Sequence, residues 1–341
     1  MGPLEEGGGL VLLGADPEFF LVSSQTGNFV PASVVGLKHG KYDPLLRWTS
    51  VDLQIYRDGY GMEVNFQIPH FCRGLMGNSF KRGMLTFSNE LLTDKFTIST
   101  VPTIPVDLKE ISDLPADIAQ FGCAPSENAW GEKLDISAVN GLQHPWRYIG
   151  GHLWLSNSYD EYPWLAETEG IEKFIRALDY YLGLPFTYIF DRPEAYLRRK
   201  MYGRAGDYRT KQFSARSKGV EYRVLSPEWF NHTAWFSFVL GIARFLASRF
   251  YYIKHDAILE RGSQIQAAIN TGVGLEDLLP PRLFGFYTKE GLAACKEQKD
   301  RFMFQFLQCP DTHSGWDYWS TAWALAGNWD TGSSIDLPIA S

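Results

Sequence analysis

Apolar and polar positions alternate most clearly over residues 62–68. Met62, Val64, Phe66 and Ile68 fall on one side of an extended segment and Glu63, Asn65 and Gln67 on the other. That period of two predicts a strand with one buried and one polar face. Residues 10–13 and 19–23 read as two further short strands, and Gly27-Asn28 before Phe29-Val30 is hairpin chemistry. Residues 36–59 are polar and dotted with glycine, the composition of a long loop. Short strands are also expected at 96–101, at 121–124, at 148–155 across Gly150-Gly151, and at 220–225.

Helical spacing governs other stretches. Residues 74–95 carry Leu75, Met76, Phe80, Met84, Leu85, Phe87, Leu91 and Leu92, and residues 168–183 place Ile171, Phe174, Ile175, Leu178 and Tyr181 on one side. A helix over 192–201 starts behind Pro193, a residue suited to a first helical turn. Residues 125–143 and the basic stretch 202–218 read as loops. From 227 to about 308 the pattern is mostly helical, in three segments, and 328–341 reads as a flexible tail. Strands gather in the first two thirds and helices in the last without regular alternation, so an α+β fold is expected rather than a doubly wound sheet. There is no internal repeat or low-complexity linker. The expectation is one domain over 1–341, with a sheet region at 10–230 and a helical region at 227–327.

Composition narrows the function classes. The 341 residues are 45% hydrophobic and 21% charged, which excludes a disordered or collagen-like chain. A net charge of −7 argues against binding nucleic acid by bulk attraction. No apolar run reaches the ~18 residues of a membrane span, and the acidic, Gly-rich stretch 1–9 does not resemble a secretory signal. Cys72, Cys123, Cys295 and Cys309 never form a C-x-x-C pair, so reduced thiols in a cytoplasmic protein are expected. Cys309 and His313 alone are a weak zinc signal. Aromatic residues make up 15% of the chain, with 11 Trp. A thick core accounts for them, and a sugar- or base-stacking surface is the functional alternative.

Phosphate loops, dinucleotide-binding glycine motifs, H-E-x-x-H and G-x-S-x-G are all absent from the sequence. The candidate chemistry lies in dispersed carboxylates and one basic window. Asp16 and Glu18, two apart between apolar runs, point to the same side of an extended segment and repel unless a proton or cation lies between them. Glu63 lies on a polar strand face beside Asn65. His152 follows Gly150-Gly151, a pair that admits close approach of another backbone or a ligand. Between Arg192 and Arg223 ten basic residues face three acidic ones, a window of +7 that leaves the rest of the chain at −14. A solvated face accounts for several of these charges. The glycines Gly203, Gly206 and Gly219 suggest a loop that clasps an anion, a nucleotide polyphosphate or nucleic acid. The window ends at Glu221-Tyr222-Arg223, where a carboxylate and a guanidinium share one strand face, as a plain ion pair or as a metal ligand beside a phosphate clamp. Carboxylates that hold Mg2+, with arginines, suit phosphoryl transfer and the activation of a carboxylic acid.

Taken in order, Gly14-Ala15-Asp16-Pro17-Glu18-Phe19-Phe20, Asp58-Gly59 with Glu63-Val64-Asn65, Gly150-Gly151-His152, 202–209 and 221–226 resemble the phage-type COOH–NH2 ligases. These amidoligases belong to the glutamine synthetase / glutamate–cysteine ligase superfamily. The resemblance implies a curved antiparallel sheet with helices on its outer face, and the mostly helical C-terminal third carries no motif that matches it. It implies ATP and Mg2+ on the concave face, and amide-bond formation through an acyl phosphate. On that model Glu18, Glu63 and Glu221 are metal ligands, Asp16 is a further one, and His152 touches a metal or the phosphates. Arg223 grips the γ-phosphate, while Arg204, Arg209 and Lys211 contact phosphate or substrate. The loops 36–59 and 124–146 are candidate lids. Related enzymes often carry a second His two residues after the first, where this chain has Trp154. The implied substrates are a small-molecule or peptide carboxylate and an amine, or a modified nucleobase in nucleic acid, and a glutamine amidotransferase-like protein is an implied partner. The rival readings are a catalytically inactive descendant that binds a nucleotide or a partner, and a carbohydrate-active enzyme with paired carboxylates.

Overall fold

The computed structural model describes residues 11–38, 48–50, 53–66, 73–119, 126–132, 139–158, 161–283 and 287–302. The expected strand at 121–124, the tail at 328–341, the Cys309–His313 pair and Cys72 and Cys123 lie outside these residues, and Cys295 is a free thiol. The strands are β1 (Leu12–Ser23), β2 (Phe29–Val30), β3 (Trp48–Thr49), β4 (Leu53–Asp58), β5 (Gly61–Phe66), β6 (Phe96–Ser99), β7 (Thr103–Pro105), β8 (Glu127–Asn128), β9 (Trp146–Tyr148), β10 (Gly151–Ser158), β11 (Asp207–Ser214), β12 (Ser217–Tyr222), β13 (Arg282–Leu283) and β14 (Tyr287–Thr288). Ten of them form one sheet in the order β3-β4-β5-β1-β10-β12-β11-β8, with β2 and β6 also on β1. Every pairing described is antiparallel, so the fold is α+β, as the sequence pattern implies.

Alternation sorts the side chains of this sheet. Leu13, Ala15, Phe19 and Leu21 of β1, Leu53 and Ile55 of β4, Met62 and Val64 of β5, Leu153 and Leu155 of β10, and Val220 and Tyr222 of β12 all enter the main core. The intervening residues, among them Asp16, Glu18, Glu63, His152 and Glu221, project from the opposite face. A slip of one residue in any pair would push the acids into the core, which pins the register.

Helices cover the apolar face. Those that bury side chains in the main core there include α1 (Arg73–Phe87), α4 (Thr168–Leu178), α5 (Leu184–Ile189) and α7 (Thr233–Ser248), while α2 (Leu108–Ser112) and α3 (Ala116–Ala119) serve the other face and α6 (Pro193–Arg198) buries Ala195 and Arg198. Helix α1 lies against β4 and α7, and α4 buries Ile171, Phe174, Ile175 and Leu178 in the same core. Each such side chain contributes ~1.5–3 kcal/mol relative to leaving it exposed. Much of the aromatic richness lies here: Phe19, Phe80, Trp229, Phe230 and Phe236 pack tilted or edge-on in one buried cluster. A smaller core on the other face joins Phe20, Tyr60 and Ile149 to Ile111 of α2 and Ile118 of α3.

Several sequence expectations need correction. The two short strands near the N-terminus are one strand, β1, running through Pro17. Pro17 falls where β1 passes from its pairing with β10 to its pairing with β5, a handover at which a missing N–H is tolerated. The expected loop 36–59 contains β4, an interior strand, so that part is not a lid. Its pattern is masked because Arg57 stands where a third inward apolar residue would show the alternation. The basic stretch 202–218 is a loop only to Gly206. Beyond it lie β11 and β12, a hairpin whose inward residues Tyr208, Thr210 and Val220 are sparse among charges. After residue 227 the chain forms more than three helical segments: α7 is followed by α8 (His255–Glu260), α9 (Gly262–Thr271), α10 (Leu275–Leu278) and α11 (Lys289–Phe302), with β13 and β14 between the last two. Among the described residues no helix is long and apolar enough to cross a membrane.

Candidate active site

The polar face collects acidic residues from four strands and a histidine from a fifth. Register places Glu18 of β1 opposite Glu63 of β5, and Glu63 opposite Tyr56 of β4. A two-residue turn at Gly59-Tyr60 brings Asp58 back opposite Gly61, with Gly59 at φ 55°. Glu18, Asp58 and Glu63 thereby present carboxylate oxygens within 4.8 Å of one another. On the other side of β1, Asp16 faces His152 of β10, and Glu221 of β12 lies one strand further on. Asp16, His152 and Glu221 form a second group within the same 4.8 Å limit. His152 joins the two groups. Its Nδ1 lies 3.3 Å from Glu221 Oε1, 3.7 Å from Asp16 Oδ1 and 4.0 Å from Glu18 Oε1.

Glycine packing sets the imidazole. A side chain at Gly150 would meet His152 Nε2 at 2.3 Å, and one at Gly151 would meet the Ser226 carbonyl at 2.6 Å and the Trp229 indole nitrogen at 2.7 Å. The glycine pair therefore admits the chain's own atoms. The Gly150 N–H then donates to Glu18 Oε2 at 2.7 Å, and the Tyr202 hydroxyl donates to the same oxygen at 2.9 Å. Even so, burial raises the Glu18 carboxyl to about 8, with Asp58 and Glu63 adding repulsion. Asn65 donates to both Glu63 and Tyr56, and burial beside Glu63 raises the Tyr56 phenol further.

The basic residues divide into two kinds. Arg223 is buried beside Glu221, with Nε 3.1 Å from Oε1, and its Nη1 donates to Ser126 at 2.7 Å. Arg209 stands opposite Glu221 on β11, and Lys211, exposed, lies two residues further along the same face. These three carry positive charge to the end of the face beyond the acids. Arg198 and Arg199, by contrast, are fully buried structural groups. Arg198 donates to the carbonyls of Arg223 and Val224, and Arg199 to the carbonyl of Ile269 and the hydroxyl of Thr187. Arg204 pairs with Glu132 at 2.6 Å, both partly exposed. Part of the +7 window thus has structural partners, and a single anion-clasping loop is not what the hairpin forms.

Of the residues singled out in the sequence, Asp16, Glu18, Glu63, His152 and Glu221 converge, with Arg223 and Arg209 adjoining them. Lys211 extends the face, and Arg204 has its partner in Glu132. Trp154, at the position of the departure noted above, donates its indole N–H to Asp16 Oδ1 at 3.0 Å. Asp58, in the Asp58-Gly59 motif, is not among the expected ligands, and its hairpin turn before Glu63 is the local signal that marks it. Tyr202 opens the motif 202–209 with no role of its own expected, and Ser126 carries no signal, because their contacts join distant parts of the chain.

Residues 132–272 match the family model described as phage phiEco32-like COOH.NH2 ligase, type 2. No curated protein matches the chain. The match supports a phage-type amidoligase, the resemblance already carried by the motifs. It includes His152, Arg204, Arg209, Lys211, Glu221 and Arg223 and runs through α7 to α9, beyond the motif-bearing region. Asp16, Glu18, Asp58 and Glu63 lie before it and are joined to the matched residues by the sheet and by hydrogen bonds from Gly150, Trp154 and Tyr202.

Proposed function

We propose that this chain is an ATP-dependent carboxylate–amine ligase that works with Mg2+. The observation that carries the reading is the convergence of two carboxylate-rich groups, bridged by His152, with arginines at one end of the face. The donor set fits the cation: several hard oxygens, few nitrogens and no thiolate. Buried acids this close need protons or positive charge between them, and the raised Glu18 carboxyl expresses that need. Glu18, Asp58 and Glu63 would hold one ion, and Asp16, His152 and Glu221 another. Bound Mg2+ supplies charge neutralisation for a transferring phosphoryl group.

The chain's own residues bind and orient. Arg223 and Arg209, set beside Glu221, offer guanidinium charge to the phosphates, and Arg223 is fixed for this by Ser126 and by the carbonyl grip of Arg198. Phosphoryl transfer from ATP to a substrate carboxylate oxygen releases ADP and leaves an acyl phosphate. Amine nitrogen then bonds to the acyl carbon, the carbon–oxygen bond to phosphate breaks, and the amine loses a proton. Water must be kept from the acyl phosphate. The substrates are a carboxylic acid and an amine, either as small molecules or peptides or, for the amine, on a modified nucleobase. A glutamine amidotransferase-like protein is the proposed partner.

The Trp154–Asp16 hydrogen bond favours a second reading, in which one cation site is weakened and the chain binds nucleotide without turnover. A screen of acid and amine pairs, read by ADP release and product mass, separates the two. ADP release that depends on both substrates and disappears in Glu18→Gln is expected. Arg223→Ala should fold and lose turnover by about 10²–10³-fold. Nucleotide binding with no turnover for any pair would select the second reading.

A further inference from the structure

We infer that Tyr202 is a positioning residue that aims Glu18 into the acidic face and ties that carboxylate to the arginine end of the site. The inference rests on the metal-binding reading above and goes beyond it, because Tyr202 is neither an acid nor a ligand.

The geometry is specific. Glu18 Oε2 receives two donors, the Gly150 N–H and the Tyr202 hydroxyl, from segments separated by 132 and 184 residues from Glu18. With Oε2 occupied in this way, Oε1 is the oxygen left facing His152 Nδ1 at 4.0 Å. A carboxylate held by one donor can rotate about its last bond, whereas two donors on one oxygen fix which oxygen points into the cluster. The Tyr202 ring is fixed in turn. The Arg198 guanidinium lies over it at 4.5 Å and that of Arg223 at 5.5 Å, while the His152 ring meets it edge-on at 6.0 Å. Arg198 cannot swing away, because it donates to the carbonyls of Arg223 and Val224.

Tyr202 is itself buried, so it stabilises the arrangement without being presented to a substrate. One side chain therefore meets an acid of the first group, the bridging histidine, and Arg223 beside the second group. Its place in the sequence explains why a loop rather than a strand supplies it. It follows α6 by only a few residues, and Gly203, at φ 70°, turns the chain tightly against the Arg198 guanidinium.

The test is Mn2+ affinity, measured by the spin-resonance signal of free Mn2+ together with thermal melting. Tyr202→Phe keeps the ring beneath both guanidinium groups and removes only the hydroxyl. It should melt close to wild type and bind Mn2+ ~10-fold more weakly at one site, the usual consequence of losing a group that orients a ligand. In a Glu18→Gln background the same change should cost no further affinity, because the carboxylate it aims is gone. Glu18→Asp, which draws the carboxyl back from the hydroxyl, gives a second route. It should lose a similar factor, and adding Tyr202→Phe to it should change little. Mn2+ binding by Tyr202→Phe within twofold of wild type, or an equal loss in both backgrounds, would overturn the inference and leave the ligase reading standing. A wild-type chain that takes up no Mn2+ would overturn both.

Discussion

Two buried carboxylates, Glu18 and Asp179, lie on opposite faces of the same sheet and differ in the company they keep. Burial raises both, Glu18 to about 8 and Asp179 to about 7. Asp179 sits under the apolar face, where the Trp130 indole and the Tyr222 hydroxyl each donate to one of its oxygens at 2.7 Å. Glu18 has its donors on one oxygen and two further acids, Asp58 and Glu63, close by. Burial alone therefore does not mark a site here. Both acids cost desolvation, but Glu18 shares its site with two carboxylates within 4.8 Å, and that is the arrangement a divalent cation would complete.

The largest expected effect that would break this contrast is catalytic. Glu18→Gln should abolish ADP release while Asp179→Asn leaves it within a few-fold, as a coupled ADP assay would report. Asn can place its carbonyl on Trp130 and its NH2 on the Tyr222 oxygen, so the packing survives. Equal losses in the two variants would erase the distinction.

Stability against pH comes next. An acid raised on folding keeps its proton in the native state after the unfolded chain has lost it. Asp179 thus contributes most below its unfolded value of 3.8, and that contribution fades as pH rises through about 7. The swing is on the order of a few kcal/mol. Glu18 acts with the same sign over its own range, from 4.5 to about 8. Melting curves with excess Mg2+ should remove the Glu18 part of the slope, and Asp179→Asn should remove the other part. A slope untouched by Mg2+ would argue against cation binding at Glu18.

Two smaller effects sharpen the comparison. Tyr222→Phe leaves one Asp179 oxygen short of a donor and should cost ~1–3 kcal/mol in denaturant unfolding, with Mn2+ affinity unchanged. Arg204→Ala breaks a partly exposed pair with Glu132 and should shift unfolding by less than ~1 kcal/mol.

Much of the acidic face was legible because strand alternation is local. Met62 and Val64 against Glu63 and Asn65, and Asp16 with Glu18, announce a two-sided sheet before any fold is known. Asp58 escaped because β4 shows only Leu53 and Ile55 before Arg57 interrupts the pattern. The +7 window misled for another reason: sequence records charge but not partners. Arg198 and Arg199 spend theirs on buried backbone carbonyls and a hydroxyl, while Arg209 and Arg223 reach the polar face. Tyr202 lies in the motif 202–209, but its role exists only once residues 18, 150, 152 and 198 have been brought together.

The most direct test is a Mn2+ titration of the wild-type chain beside Glu63→Gln and Glu221→Gln. Wild type should take up Mn2+ at both carboxylate groups, with each variant losing a different one and melting no lower than the parent by more than a few degrees. Mn2+ uptake that is absent in wild type, or identical in all three proteins, would contradict a cation-binding acidic face.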